Sequence, residues 1–280
     1  MKVAKRSKIS SDLIESKYKY DVQTSPDDPT LPSVFVFSGA RGSGKTYACV
    51  AMCKRFEEKG YITRTFLVSP TRESNTLFDN LYTLTKSDTC DREEHFTLFL
   101  KYVMDEVKSD WMEYDNQKKY IKTLRKLRER GEAFLTLEEQ FLIERMGNEA
   151  PISSKKPGHM LIVDDCQGTS LFSASRKNLM THMVIKHRHI PISIAFMMQT
   201  WTGLPRPIRL NATHFMIYRT HDKKQLQQLY ESFGNLVTWE KFEDMYKQAI
   251  SRHHGFLYID TVPKSERRRF RNGFNEYFLY

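Results

Sequence analysis

No stretch of the 280-residue chain approaches the run of about 18 apolar residues needed to cross a bilayer. The basic residues near the amino terminus have no apolar stretch behind them, so the sequence predicts neither secretion nor membrane insertion. Cysteine is sparse. Cys49, Cys53, Cys90 and Cys166 include no CxxC pair and fall far short of a disulfide scaffold, which points to a reducing compartment. Internal repeats and low-complexity tracts are missing as well. Acidic residues are in deficit, 34 against 44 basic ones, and the formal charge of +10 suggests a polyanionic partner such as nucleic acid without implying sequence specificity. Hydrophobic residues at 40% and charged residues at 28% are ordinary globular usage, which excludes a mostly disordered or collagen-like chain. The expectation is one or two folded domains, or one domain with an insertion.

Residues 1–30 are polar, and Ser25-Pro26-Asp27-Asp28-Pro29 resists regular structure, so this reads as a lead-in segment. Val34 to Phe37 form a short continuous apolar run, the pattern of a strand buried on both faces. A helix is predicted from Lys45, with Ala48, Cys49, Met52 and Phe56 on one face and Gly60 as its stop. Thr65 to Val68 then read as a second strand, completing a β-α-β unit. From about residue 86 to 158 charged stretches with apolar residues at helical spacing take over, and this region is predicted to be a helical insertion. Within it Gly131 breaks one helix, and Thr136 with Glu139 forms a capping-box signature for the next. Strands resume at Met160–Val163, Ile192–Met198 and His214–Tyr218. Two helices are then expected over 223–233 and 238–251, and a last strand over 256–259. A basic tail, 263–280, carries Lys264, Arg267, Arg268, Arg269 and Arg271.

Gly39-Ala40-Arg41-Gly42-Ser43-Gly44-Lys45-Thr46 fits the phosphate-loop pattern GxxxxGK[ST], with the required strand before it and helix after it. Glycines let the backbone turn through positive φ and aim N–H groups at phosphates, while the helix presents its positive dipole end to the same anion. Lys45 is expected to reach the β and γ phosphates of ATP, and the Thr46 hydroxyl to ligate Mg²⁺. Met160-Leu161-Ile162-Val163 run into the tandem carboxylates Asp164 and Asp165. Asp164 suits the Mg²⁺ shell and Asp165 suits a general base that orients attacking water. The bland alternative, an Asp pair capping a turn, loses ground because the phosphate loop is present. Gln199, at the end of the Ile192–Met198 strand, is a neutral amide able to donate to a γ-phosphate oxygen and accept from water, although a glutamine in that position is also common loop chemistry.

The order GARGSGKT, LIVDD, KHRHIPIS, a strand ending MMQ, then LPRPIRLNATHFMIYR resembles the genome-packaging ATPases of large DNA viruses. These are the poxvirus-type packaging ATPases, in the FtsK/HerA branch of the phosphate-loop motors. The resemblance spans roughly residues 31–262 and is most specific from Leu161 to Tyr218. It implies an α/β P-loop NTPase of the additional-strand catalytic type: a mostly parallel sheet flanked by helices, with the Gln199 strand lying between the Val34–Phe37 strand and the Asp164 strand. It further implies a ring oligomer that uses ATP and Mg²⁺ to pump double-stranded DNA into a preformed capsid. A capsid or portal-vertex partner follows, as does a site of action in the host-cell cytoplasm or virus factory, extending to association with the virion. Carried over by position, Lys45 and Thr46 are the phosphate and metal residues, Asp164 the metal carboxylate, Asp165 the catalytic carboxylate and Gln199 the sensor. Cellular relatives usually have glutamate where Asp165 stands.

Ring motors complete a neighbour's site with an arginine. Arg188, ahead of the sensor strand, is the first candidate, with Arg209 and Arg219 as alternatives; a basic helix end held by its own dipole is the competing explanation for Arg188. For DNA the candidates are the basic helix around Lys118–Arg130, the loop with Trp201, Arg206 and Arg209, and the arginine-rich tail. The competing reading of the insertion, a solvated amphipathic helix pair or a docking surface for a capsid or portal partner, is favoured slightly over direct DNA contact. His182, His187 and His189 have no convergent Cys or Asp set and read as surface histidines. Two other functions compete with the motor: a nucleoside or small-molecule kinase using the same loop, and a nucleotide-gated assembly scaffold.

Overall fold

The computed structural model describes residues 22–131, 134–147, 155–173, 175, 177–220, 222–233 and 236–279. Among these, nine strands form one sheet in the order β3-β2-β4-β5-β1-β6-β7-β8-β9. The strands are β1 (Val34–Ser38), β2 (Arg64–Val68), β3 (Leu84–Cys90), β4 (His159–Asp164), β5 (Ile192–Met198), β6 (His214–Tyr218), β7 (Phe256–Asp260), β8 (Phe270–Asn272) and β9 (Glu276–Tyr277). The first six run parallel, and β7, β8 and β9 extend the sheet antiparallel beyond β6. β5 lies between β1 and β4, the interposed arrangement that the resemblance implies.

The strand pleat sends alternate side chains to opposite faces, and both faces are covered. Val34, Val36, Leu161 and Val163 join one buried cluster, whereas Phe35, Phe37, Met160 and Ile162 join the other. The second cluster packs on helix α1 (Lys45–Glu58), which buries Ala48, Cys49, Met52 and Phe56 as its periodicity predicts. The first packs on α2 (Phe96–Arg130) and on the helices that follow: α4 (Leu179–Ile185), α5 (Arg206–Asn211), α6 (Lys223–Ser232) and α7 (Trp239–Ala249). No helix among the described residues is long and apolar enough to cross a membrane.

Two expectations about organisation need correcting. The region from residue 86 does not begin as a helix: β3 runs through it to Cys90 as an edge strand, and its polar, only partly buried pattern hides it from a search for apolar runs. Nor is α2 wholly peripheral. Phe96, Phe99, Leu100, Val103, Val107 and Trp111 recur at three- and four-residue intervals and are buried against the sheet, so only the basic far half stands clear. Gly131 ends α2 with φ 84°, and α3 (Leu137–Met146) starts with the expected capping box, Thr136 Oγ1 accepting from Glu139 N–H and the Glu139 carboxylate accepting from Thr136 N–H.

The basic tail is likewise part of the sheet. Arg271 is buried, its guanidinium 4.6 Å from the Tyr258 ring centroid and donating to the Asp27 carbonyl at 2.8 Å. Arg269, also buried, is bidentate on Glu266. The lead-in, where described, is held in turn, because Asp28 is buried and ion-paired with Arg55 at 2.7 Å and with Lys59. Residues 1–21 of the lead-in lie outside the described residues.

Candidate active site

Three strand ends stand side by side and carry the chemistry. Ser38 of β1 pairs with Met198 of β5, and Met197 of β5 pairs with Asp164 of β4. The chain leaves β1 into the phosphate loop, whose first amide, Gly39 N–H, donates to the Met198 carbonyl at 3.1 Å. The loop therefore hangs from the two central strands, and α1 begins directly at its end. Gly42 and Gly44 have φ of 77° and 93°, a backbone that glycine adopts without strain. Gly39 is required for space: a Cβ there would lie 2.5 Å from Tyr218 Cβ on the adjacent β6.

Lys45 folds back into the loop and donates to the carbonyls of Gly39 at 2.8 Å and Ala40 at 2.9 Å. Burial lowers its ammonium below the ordinary lysine value, against the opposing pull of Asp164 and Asp165. Ser43 Oγ is buried with no hydrogen-bond partner. A phosphate group would satisfy both side chains, and the loop's residue types fit that ligand. Asp164 is almost completely buried, and burial first, then the neighbouring Asp165 charge, push its carboxyl up to about 6. Such a carboxylate gains from a cation beside it, and Asp164 with the Thr46 hydroxyl is a hard-oxygen set of the kind Mg²⁺ takes.

Asp165, one residue beyond the strand, has φ 51° and is exposed. The left-handed turn takes its side chain out of the strand's alternation and toward Gln199, whose Nε2 donates to Asp165 Oδ1 at 3.1 Å. The two residues expected to handle the attacking water are thus in direct contact. Lys45, Asp164, Asp165 and Gln199 gather at one end of the sheet.

Arg188 is not brought there. It is exposed in the turn between α4 and β5, at the opposite end of β5 and roughly 20 Å along the strand from Gln199. That place excludes a role in its own chain's site. Arg219, by contrast, follows β6 and lies beside the phosphate loop, its guanidinium donating to the Ile250 carbonyl at 2.9 Å. Arg209 lies 5.6 Å over the Trp201 ring. Trp201 is itself buried, its indole N–H donating to Ser232 Oγ at 3.2 Å, so it is a core residue and not an exposed DNA contact. Arg269 and Arg271 are removed from the DNA candidates for the same reason, while Lys118, Lys122, Arg125 and Arg128 of α2 remain exposed.

One site residue has no signal in the sequence. Asn75, in the loop after β2, lies near enough to the Asp164 carboxylate for its side-chain amide to oppose the rise in its pKa. An asparagine among turn residues acquires this role only because β2 is the neighbour of β4.

No protein-family model matches the chain, and no curated protein matches it. Among solved structures it is similar to the genome packaging NTPase B204 from Sulfolobus turreted icosahedral virus 2 in complex with AMP, with TM-score 0.49 and 10% identity over 85% of this chain and 96% of that one. The DNA-packaging ATPase B204 from Sulfolobus Turreted Icosahedral Virus gives TM-score 0.48 and 15% identity over 85% and 94%. The pCW3 conjugation coupling protein TcpA with ATPγS gives 0.46 and 14% over 81% and 57%. At such low identity and with TM-scores under 0.5, the assignment of function rests on the site's own geometry.

Proposed function

We propose that this chain is an ATP-hydrolysing DNA translocase that packages viral double-stranded DNA into a capsid as a ring oligomer. The observation that supports it is the juxtaposition, at three adjacent strand ends, of the loop 39–46, the pair Asp164 and Asp165, and Gln199, with β5 interposed. Interposition of β5 between the loop strand and the Asp strand counts against the kinase alternative. The positive charge balance and the exposed basic half of α2 suit a duplex phosphate backbone gripped without base reading.

Backbone N–H groups of the loop beyond Gly39 hold the phosphates, and Lys45 exchanges its two loop carbonyls for β and γ oxygens. Thr46 and Asp164 hold Mg²⁺, which when bound neutralises charge on the phosphate oxygens. Asp165 orients the attacking water and takes its proton, while Gln199 keeps that carboxylate in place and senses the γ phosphate. Arg188, remote from its own site, acts on a neighbour's across a ring interface. The basic half of α2 and the α3 hairpin, with Leu137 and Phe141 exposed, offer a surface to DNA or to a capsid or portal partner. Host-cell cytoplasm or a virus factory is the matching place of action.

Duplex DNA is expected to stimulate ATP turnover by the purified oligomer. Asp165→Asn is expected to keep nucleotide binding and lose turnover by roughly 10²–10⁴-fold. An active oligomer whose ATP hydrolysis is indifferent to duplex DNA refutes the translocase.

A further inference from the structure

A cavity of about 450 Å³ opens directly off the phosphate loop, with residues 40–43 on one side and Arg219 with residues 250–255 on the other. Its position is directional. The loop sits at the end of β1; Asp164, Asp165 and Gln199 lie on the β4 and β5 side, and the cavity lies on the β6 and β7 side. A nucleotide whose γ phosphate faces the aspartates has its nucleoside at the other end of the loop, where this cavity is.

The wall of that cavity is built with unusual backbone. Among the described residues only Asp165 and His254 adopt positive φ without being glycine, at 51° and 58°, and they flank the loop on its two sides. Side chains occupy this region at a cost, and such strain concentrates at functional sites. The turn carrying His254 is closed tightly, since a Cβ on Gly255 would lie 2.2 Å from the Ala249 carbonyl oxygen. It is also anchored from outside: Ile250 O accepts from Arg219 at 2.9 Å, and Arg252 pairs with Glu276 at 3.1 Å. His254 packs against the loop closely enough that a Cβ on Gly44 would lie 3.0 Å from its Cβ and Cγ. The rings of His253 and His254 are 3.8 Å apart, and both residues are exposed, so burial in the core does not require an imidazole at either position.

From this placement we infer that the His253–His254 turn is the nucleoside subsite, with the His254 imidazole supplying the face on which the base rests. Any base has a π face for such a contact. The inference rests on the nucleotide reading of the loop, and a ligand lacking a nucleoside separates the two. Full-length protein is titrated with ATP and with inorganic triphosphate, each with Mg²⁺, for the wild type, Lys45→Ala, His254→Gly and His254→Asn. Glycine and asparagine both tolerate this backbone, so neither variant forces the turn to refold. Expected is a loss of ATP affinity of roughly tenfold in both His254 variants, the scale of one base–aromatic stack, with triphosphate affinity unchanged. Lys45→Ala is expected to lose both ligands. Unchanged ATP affinity in the His254 variants, or equal loss of ATP and triphosphate, overturns the subsite while leaving the loop assignment intact. A wild-type chain that binds neither ligand overturns the loop assignment and the subsite together.

Discussion

Replacing Asp164 by asparagine is expected to make the metal-free protein more stable and catalytically dead. The carboxyl lies at the last residue of β4, 7% exposed, and burial with the adjacent Asp165 charge raises it from 3.8 to about 6. A rise of that size penalises the folded protein with Asp164 ionised by roughly 3 kcal/mol. Below pH 4 the group is protonated in both folded and unfolded chains and costs nothing; above about pH 6 it is ionised in both, and the folded state bears the full penalty. Wild-type stability therefore falls, relative to Asp164→Asn, as pH rises across that window. Asparagine has nearly the same shape and no charge. At roughly 2–4 °C per kcal/mol for a chain of this size, the variant in EDTA at pH 8 should melt about 6–12 °C above the wild type. The gap should close toward pH 4. Addition of Mg²⁺ and ATP should reverse the order, because a bound ligand raises the melting temperature only of the protein that holds it. Thermal unfolding followed by circular dichroism at pH 4, 6 and 8 is sufficient. A variant no more stable than the wild type at pH 8, or a gap that ignores pH, refutes the reasoning that Asp164 is a strained anion awaiting a cation.

Asn75→Ala should leave the fold intact and raise the Mg²⁺ concentration needed for half-maximal ATP turnover by roughly 10- to 100-fold, as for other groups that orient a metal-binding carboxylate. A metal titration at saturating ATP reads this directly, and an unshifted midpoint removes Asn75 from the site. Arg188→Ala and Lys45→Ala should each abolish turnover alone, yet mixing the two proteins should restore part of it, since one subunit supplies the loop and its neighbour the arginine. Mixtures as inactive as their components assign Arg188 to the helix end only.

Several features were legible in the sequence because they are local. The phosphate loop spans eight contiguous residues between a strand and a helix, and the apolar runs ending in Asp164 and Gln199 announce strands buried on both faces. The α3 capping box is readable for the same reason, being set within four residues. Other features needed the whole fold. Strand β3 has a polar, only partly buried pattern because it lies at the sheet edge, and nothing in Leu84–Cys90 says so by itself. Arg269 and Arg271 read as a solvated tail until β8 buries them, the one on Glu266 and the other on Tyr258. Trp201 and Arg206 share a basic loop in sequence, but Trp201 is folded inward.

By itself the sequence determined which side chains could do the chemistry, since a glycine-rich turn, a lysine and carboxylates at strand ends have few other uses together. Tertiary structure alone decided who stands beside whom. Parallel pairing across more than 150 residues brings Gly39 to Met198, the β2–β4 neighbourhood brings Asn75 to Asp164, and a tight turn before β7 sets His254 against Gly44. Hydrogen-bonded strand order creates those contacts, and no local spacing encodes it.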